Sequence, residues 1–237
     1  MPRAAALVLL ALLAGCRHAG ESTAGAEDAD AAPPVSETWG ARLTASDGGR
    51  PTLSVEAPYL ARFADSAEVA LGPAPGTDSG RVRIRLFDDA GAARATVEAA
   101  RARLDESDRR LVAEGRVVAT LPGARVEAPR LTTAGESFTA SGGASVQLSG
   151  ETTARVRAST VTGTGSRFEA AGGVTVESSG RTLRADRVVM DGDRLSAPGA
   201  FAFDGPGERV RGVDLSASRD LSRYSFRRAT GQIEVRE

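Results

Sequence analysis

From Trp39 to the end of the chain, apolar and polar residues alternate. The plainest case is Arg81-Val82-Arg83-Ile84-Arg85-Leu86, with arginines on one side and Val82, Ile84 and Leu86 on the other. A period of two belongs to a β-strand, whose successive side chains point to opposite faces of a sheet. Valine, threonine and phenylalanine recur in these runs, while Gly, Asp, Ser and Pro gather between them. Only the stretch 92–111 carries helix-forming composition. Its apolar residues still fall at Val97 and Ala99, so it is predicted as strand, turn and strand.

The alternation repeats. One half of the unit reads apolar-x-Ala-x-Gly-x-apolar: Leu111-x-Ala113-x-Gly115-x-Val117, then Phe138-x-Ala140-x-Gly142-x-Ala144-x-Val146. It returns as Phe168-x-Ala170-x-Gly172-x-Val174-x-Val176 and as Leu195-x-Ala197-x-Gly199-x-Phe201-x-Phe203, with a degraded copy Ala229-x-Gly231-x-Ile233-x-Val235. The other half is apolar-x-small, as in Val97-x-Ala99, Val126-x-Ala128, Val156-x-Ala158, Leu183-x-Ala185 and Val210-x-Gly212; Leu53-x-Val55-x-Ala57 is an earlier relative. Successive glycines are 27, 30, 27 and 32 residues apart, a drift that favours antiparallel hairpins over the strict period of a parallel β-helix.

Each unit is therefore two strands and a turn with one apolar face, and stacked hairpins bury that face between two sheets. The result is an all-β, elongated antiparallel sandwich or roll. Asp191-Gly192 and Asp88-Asp89-Ala90-Gly91 are the clearest turns. The inward face alternates large residues with a stripe of Ala and Gly. Small residues let two sheets approach closely, and a mid-strand glycine permits a bulge. Alternatively the stripe leaves a lengthwise apolar slot for an alkyl chain, lined by Leu111, Val117, Phe138, Val146, Phe168, Val174, Val176, Leu195, Phe201 and Phe203. The packing account carries slightly more weight on the residues alone.

The first residues are an address. Arg3 precedes an apolar run, Ala4 to Ala14, too short for the ~20 residues of a membrane-spanning helix. Leu13-Ala14-Gly15-Cys16 resembles the bacterial lipobox, which makes residues 1–15 a lipoprotein signal and Cys16, the only cysteine, a lipid anchor. Residues 16–38, acidic and carrying Pro33-Pro34, read as a disordered tether, and residues 39–237 as the folded domain. His18, the only histidine, falls in the tether.

Composition then removes function classes. All 30 basic residues are arginine, so lysine Schiff-base chemistry is excluded. Formal charge is −1, no basic block stands out and only 4% of residues are aromatic, which argues against a nucleic-acid partner. No Gly-x-Ser-x-Gly occurs, and no histidine in the domain can serve a serine nucleophile. Gly163-Thr164-Gly165 is at most the start of a dinucleotide fingerprint, and turn chemistry accounts for Asp191 and Asp193. No catalytic residue, metal site or cofactor is expected.

Phe87-Asp88-Asp89-Ala90-Gly91, followed by Ala99, Leu104, Leu111, Gly115 and Val117, resembles the core pattern of the LptC family of lipopolysaccharide export proteins. The repeats from Val126 to Val235 are similar to the OstA-like domain of the bridge protein LptA. The resemblance spans Leu53 to Val235 and implies a β-jellyroll in the periplasm of a Gram-negative bacterium. Such a jellyroll does no chemistry: the acyl chains of lipid A ride inside it and the sugars stay outside. The partners implied are lipopolysaccharide, the inner-membrane ABC transporter that supplies the energy, and an LptA-like bridge joined by edge-strand pairing. By position, strands near Leu43 to Ala57 would meet the transporter, and Gln232-Ile233-Glu234-Val235 would be the edge offered to the bridge. Many family members are held by a transmembrane helix, whereas this chain carries a lipid signal; Arg17 after the cysteine leaves the choice of membrane open, and the resemblance implies the inner one. A structural reading stays open beside this one: a lipid-anchored β-solenoid or bactofilin-like polymer, or an envelope-assembly lipoprotein, with a dry core.

Overall fold

The computed structural model describes residues 33–233 except 65, 106–109, 151 and 166, and the side chains of 232 and 233. The expected signal, Cys16, His18, Glu234 and Val235 lie outside the described residues.

The alternating runs become strands throughout. The first six are β1 (Pro34–Asp47), β2 (Arg50–Phe63), β3 (Glu68–Gly72), β4 (Val82–Phe87), β5 (Ala93–Ala99) and β6 (Arg101–Asp105). There follow β7 (Arg110–Leu121), β8 (Ala124–Ala134), β9 (Ser137–Leu148), β10 (Ala154–Thr164), β11 (Arg167–Ser178) and β12 (Arg181–Asp191). The last are β13 (Arg194–Gly205), β14 (Glu208–Ser218) and β15 (Tyr224–Ile233). All pair antiparallel in one 15-stranded sheet, and from β7 onward each strand lies beside its sequence neighbours. The antiparallel hairpin stack read from the sequence is the observed architecture. β1 starts earlier than expected: Pro34 pairs with Phe63 and Thr38 with Leu60, so residues 34–38 belong to the sheet and not to the tether.

The sheet is bent double. β14 runs from Glu208, and Tyr224 of β15 sits opposite its Ala217. At about 3.3 Å per residue, an extended strand would hold Glu208 and Ala217 ~30 Å apart. Yet the Tyr224 hydroxyl donates to Glu208. The strand must fold back on itself, and Asp214, at φ 55°, marks the place. Every ladder from β7–β8 to β13–β14 slips register in its middle, for example between Glu114 and Val117 and between Ala171 and Val174. These bulges line up as a corner that divides the sheet into two walls.

The repeat glycines are that corner. Gly115, Gly142, Gly172 and Gly199 have φ between 77° and 85°, a conformation that costs a side-chain-bearing residue ~1–2 kcal/mol. A Cβ on Gly142 would lie 3.2 Å from the Pro129 ring, and one on Gly172 would lie 2.7 Å from Ser159 Cβ. Pro129 can sit in a central strand because the ladder is interrupted there. The expected inward stripe of Ala and Gly is thus two features. The alanines face inward and are buried, whereas these four glycines lie exposed on the outside of the bend. Gly231 differs again: it is not at a bend but opposite Val210.

The core is a wedge between the walls. Next to the corner stand Ala113, Ala140, Ala144, Ala170 and Ala197, none more than 4% exposed. Farther out come Leu111, Phe138, Leu148, Leu183, Leu195 and Phe203. Walls that converge at the bend leave room only for methyl groups there and for larger side chains beyond. Gly163 serves the same geometry, because the Phe138 ring occupies the space a Cβ would need.

Candidate functional site: the interior between the walls and the two free edges

The buried residues form one continuous apolar cluster from Ala41 on β1 to Leu221 after β14. The residues expected to line a slot all belong to it or pack against it. Leu111, Val117, Val146, Val174, Val176, Leu195, Phe201 and Phe203 are at most 5% exposed, Phe138 is at 9%, and Phe168 is half-buried. The rings of Phe138 and Phe168 meet at 6.0 Å across Gly163. Val146, Leu148 and Val156 of one wall face Val161, Phe168, Ala170, Val188 and Met190 of the other around a cleft of about 10 Å³. That is about the space of one water molecule. Around these residues the walls are shut.

The outward faces are polar. Cross-strand pairs such as Arg83–Glu98 at 2.9 Å, Arg130–Glu114 at 2.8 Å, Arg157–Glu177 at 2.9 Å and Arg187–Glu169 at 2.8 Å run along them. Asp204 is held below the ordinary carboxylate range by hydrogen bonds from Arg209 and Arg184. Exposed pairs contribute little each, ~0–1 kcal/mol, so these ladders serve solubility and register more than stability. Among the described residues no group of His, Cys, Asp and Glu could hold a metal ion, and no helix is long and apolar enough to cross a membrane.

The two ends of the sheet are free edges. Among the described residues, β1 pairs only with β2, and β15 only with β14. On β1, Trp39 is 61% exposed and stands edge-on to Tyr59 at 5.6 Å. The Tyr59 hydroxyl donates to Glu37, and that bond, followed by desolvation and the carboxylate's charge, pushes it up to about 12. On β15 the inward row starts with aromatics. Tyr224 lies 4.7 Å from Phe203, and Phe226, 42% exposed, lies 6.2 Å from Phe201. Burial, then the bond to Glu208, pushes Tyr224 up to about 12. Gln232 and Ile233 continue this edge strand, opposite Arg209 and Glu208.

The free rims of the walls also meet through side chains. Arg94, at the start of β5, donates to the Gly135 carbonyl at 3.3 Å and pairs with Glu136 at 3.8 Å, in the β8–β9 turn. Sequence reading missed this contact, and it missed Leu221, which is fully buried although it sits in a polar loop. Alternation finds faces within strands and is blind to a lone apolar residue in a turn. Tyr224-x-Phe226 did carry a legible signal, because it restarts the period after the Ser-Asp-Arg loop.

No family model matches this chain, and no curated protein matches it. Among solved structures it is similar to LptH of Pseudomonas aeruginosa, described as the LptA homologous periplasmic component of the conserved lipopolysaccharide transport device. The likeness is 21% identical over 41% of this chain and 75% of that one, at a TM-score of 0.39, too distant to carry a functional argument.

Proposed function

We propose that this chain is a non-enzymatic periplasmic component of lipopolysaccharide export, anchored by a lipid on Cys16. It receives lipopolysaccharide from the inner-membrane ABC transporter and passes the acyl chains between its walls to an LptA-like bridge. One observation carries the reading: a single apolar interior extends from strand to strand between two sheet edges that are unpaired among the described residues. A protein closed on itself would cover both ends. Here each edge presents free backbone groups on which a similar jellyroll can add its own strand and extend the interior. β1 and β2 would meet the transporter, and Gln232 to Val235 the bridge. The driving force on an alkyl chain inside would be about 25 cal/mol per Å² of apolar surface buried, with no catalytic group required.

The closed walls set a condition, since acyl chains can enter only if the walls part. The structural alternative, a lipid-anchored β-polymer or envelope-assembly lipoprotein with a dry core, is favoured by the 10 Å³ cleft. A photo-crosslinking amino acid in place of Phe168 or Phe201 separates them. Adducts with lipopolysaccharide are expected in cells with an active transporter, and none from the outward position Arg184. Adducts that persist undiminished with the ATPase disabled, or that form equally from Arg184, would falsify the conduit.

A further inference from the structure

The loop between β14 and β15 bridges both rims. The Arg219 amide donates to the Asp193 carbonyl at 2.8 Å, and the Arg219 guanidinium lies 3.3 Å from Asp193 Oδ1. Asp193 belongs to the β12–β13 turn, on the rim of the wall that holds Met190 and Leu195. The same guanidinium covers Gly150, in the β9–β10 loop on the rim of the opposite wall, so closely that a Cβ there would collide with it. Two residues on, Leu221 turns inward at φ 59° and is wholly buried in the core cluster. Around it the loop is tied to itself. The Leu221 amide donates to the Ser218 carbonyl at 2.9 Å, and Asp220 Oδ1 accepts from the Ser222 amide at 3.1 Å and the Ser222 hydroxyl at 2.8 Å. Just beyond the loop, Tyr224 reaches Glu208 at the opposite end of β14, and Arg181 stands 3.9 Å from Glu208.

We propose that the loop Ser218–Arg223 is a latch on the open side of the folded sheet. It plugs the interior with Leu221 and ties the two rims through Arg219, and it must swing out for an alkyl chain to pass. Three observations point the same way. A leucine in an otherwise Ser-, Arg- and Asp-built loop fills the core as an alkyl group would. It does so in a backbone conformation that non-glycine residues rarely adopt, a local cost that burial of the side chain offsets. The ion pair that fixes the loop is at the surface, where a headgroup phosphate could compete for Arg219. The corner row opposite supplies the hinge, because its bulged glycines are where strand pairing is already interrupted. The latch rests on the conduit reading, and it adds where the passage is closed and what opens it.

The test uses the full-length chain and, as probe, lipopolysaccharide lacking O-antigen. Hydrogen exchange of 218–224 is followed together with uptake of the labelled lipid, for the wild type and for R219Q, with L221A as a second variant. Circular dichroism confirms that the variants retain the sheet. The expected result is that lipid accelerates exchange in 218–224 but not in 209–213, and that R219Q takes up lipid about fivefold faster, the scale that loss of one partly shielded ion pair allows. Lipid that binds the wild type with exchange in 218–224 unchanged, and equal uptake by both variants, overturns the latch and leaves the conduit standing. If exchange in 218–224 rises in R219Q while no chain takes up lipid, the loop opens as described and the conduit reading fails.

Discussion

The stretch from β7 to β14 and the stretch from β2 to β6 make the same bend by different means. In the first, each strand continues through the corner, and glycine or a bulge absorbs the turn inside an unbroken chain. In the second, β2 runs on through the corner, but the strands beside it break. β2 pairs with β4 along Leu53–Glu56 and with β3 along Tyr59–Arg62, so β3 and β4 are two halves of one strand separated by the loop 73–81. β5 and β6 are likewise halves divided at Ala100, whose amide donates to the Gly115 carbonyl at 3.0 Å. Pro58 marks the corner on β2, and a Cβ on Gly80 would collide with it. The difference teaches that the bend is a property of the whole sheet and does not depend on any one residue type. From β7 onward the continuous strands carry a bulge or a positive φ at the corner; the broken ones need only two partners. Breaking the strand also opens a surface cleft of about 490 Å³, lined by Tyr59, Arg101 and the loop Gly72–Asp78.

The comparison can be broken most forcefully from the core. Phe203→Ala empties a fully buried site against Tyr224 in the unbroken stretch and is expected to cost ~3–5 kcal/mol, read as a lower midpoint in urea unfolding. Next comes the corner. Gly142→Val must take φ 85° with its Cβ against Pro129, for an expected ~1–3 kcal/mol. The broken strand has no such requirement, so removal of residues 74–78 should change the same midpoint by less than ~1 kcal/mol. A loss as large as that of Gly142→Val would show that the loop, and not pairing, holds β3 and β4 in line.

pH sharpens the contrast between the two ends. Hydrogen bonds from Ser218 and Ser222 hold Asp220 down at about 2, against an ordinary 3.8. A depressed carboxylate stabilises the fold above its unfolded value and loses that contribution as pH falls from ~4 towards ~2. Acid should therefore speed hydrogen exchange in 218–224 before it affects β1, and Asp220→Asn should abolish the difference. Tyr59 and Tyr224, both raised to about 12, act at both ends. Their contribution is present below ~10 and disappears as pH rises through ~12. The smallest effect is expected of Trp39→Ala on the exposed face of β1, within ~0.5 kcal/mol.

Alternation alone identified the strands, their inward residues and the antiparallel hairpins, because a period of two needs only neighbouring positions. Arg81 to Leu86 carried its own assignment, and so did the turns at Asp88–Gly91 and Asp191–Gly192. The function of the repeat glycines was harder to read. Parity placed Gly142 and Gly172 on the inward face, since counting by twos assumes an unbroken pleat. At the corner, paired positive-φ glycines (Gly142-Gly143 and Gly172-Gly173) turn those positions outward, and the inward parity resumes two residues later at Ala144 and Val174. The early start of β1 was hidden because Pro34 to Thr38 are polar or exposed in an edge strand, where no second neighbour demands an apolar side.

The sequence by itself determined an all-β chain with one apolar face per strand, because strand period and turn chemistry are local. Tertiary structure decided that the sheet folds along one corner, that its walls close to leave about 10 Å³ between Leu148 and Phe168, and that Arg219 and Leu221 tie its rims. Those facts depend on residues tens of positions apart meeting across the bend, and no local pattern encodes such a meeting.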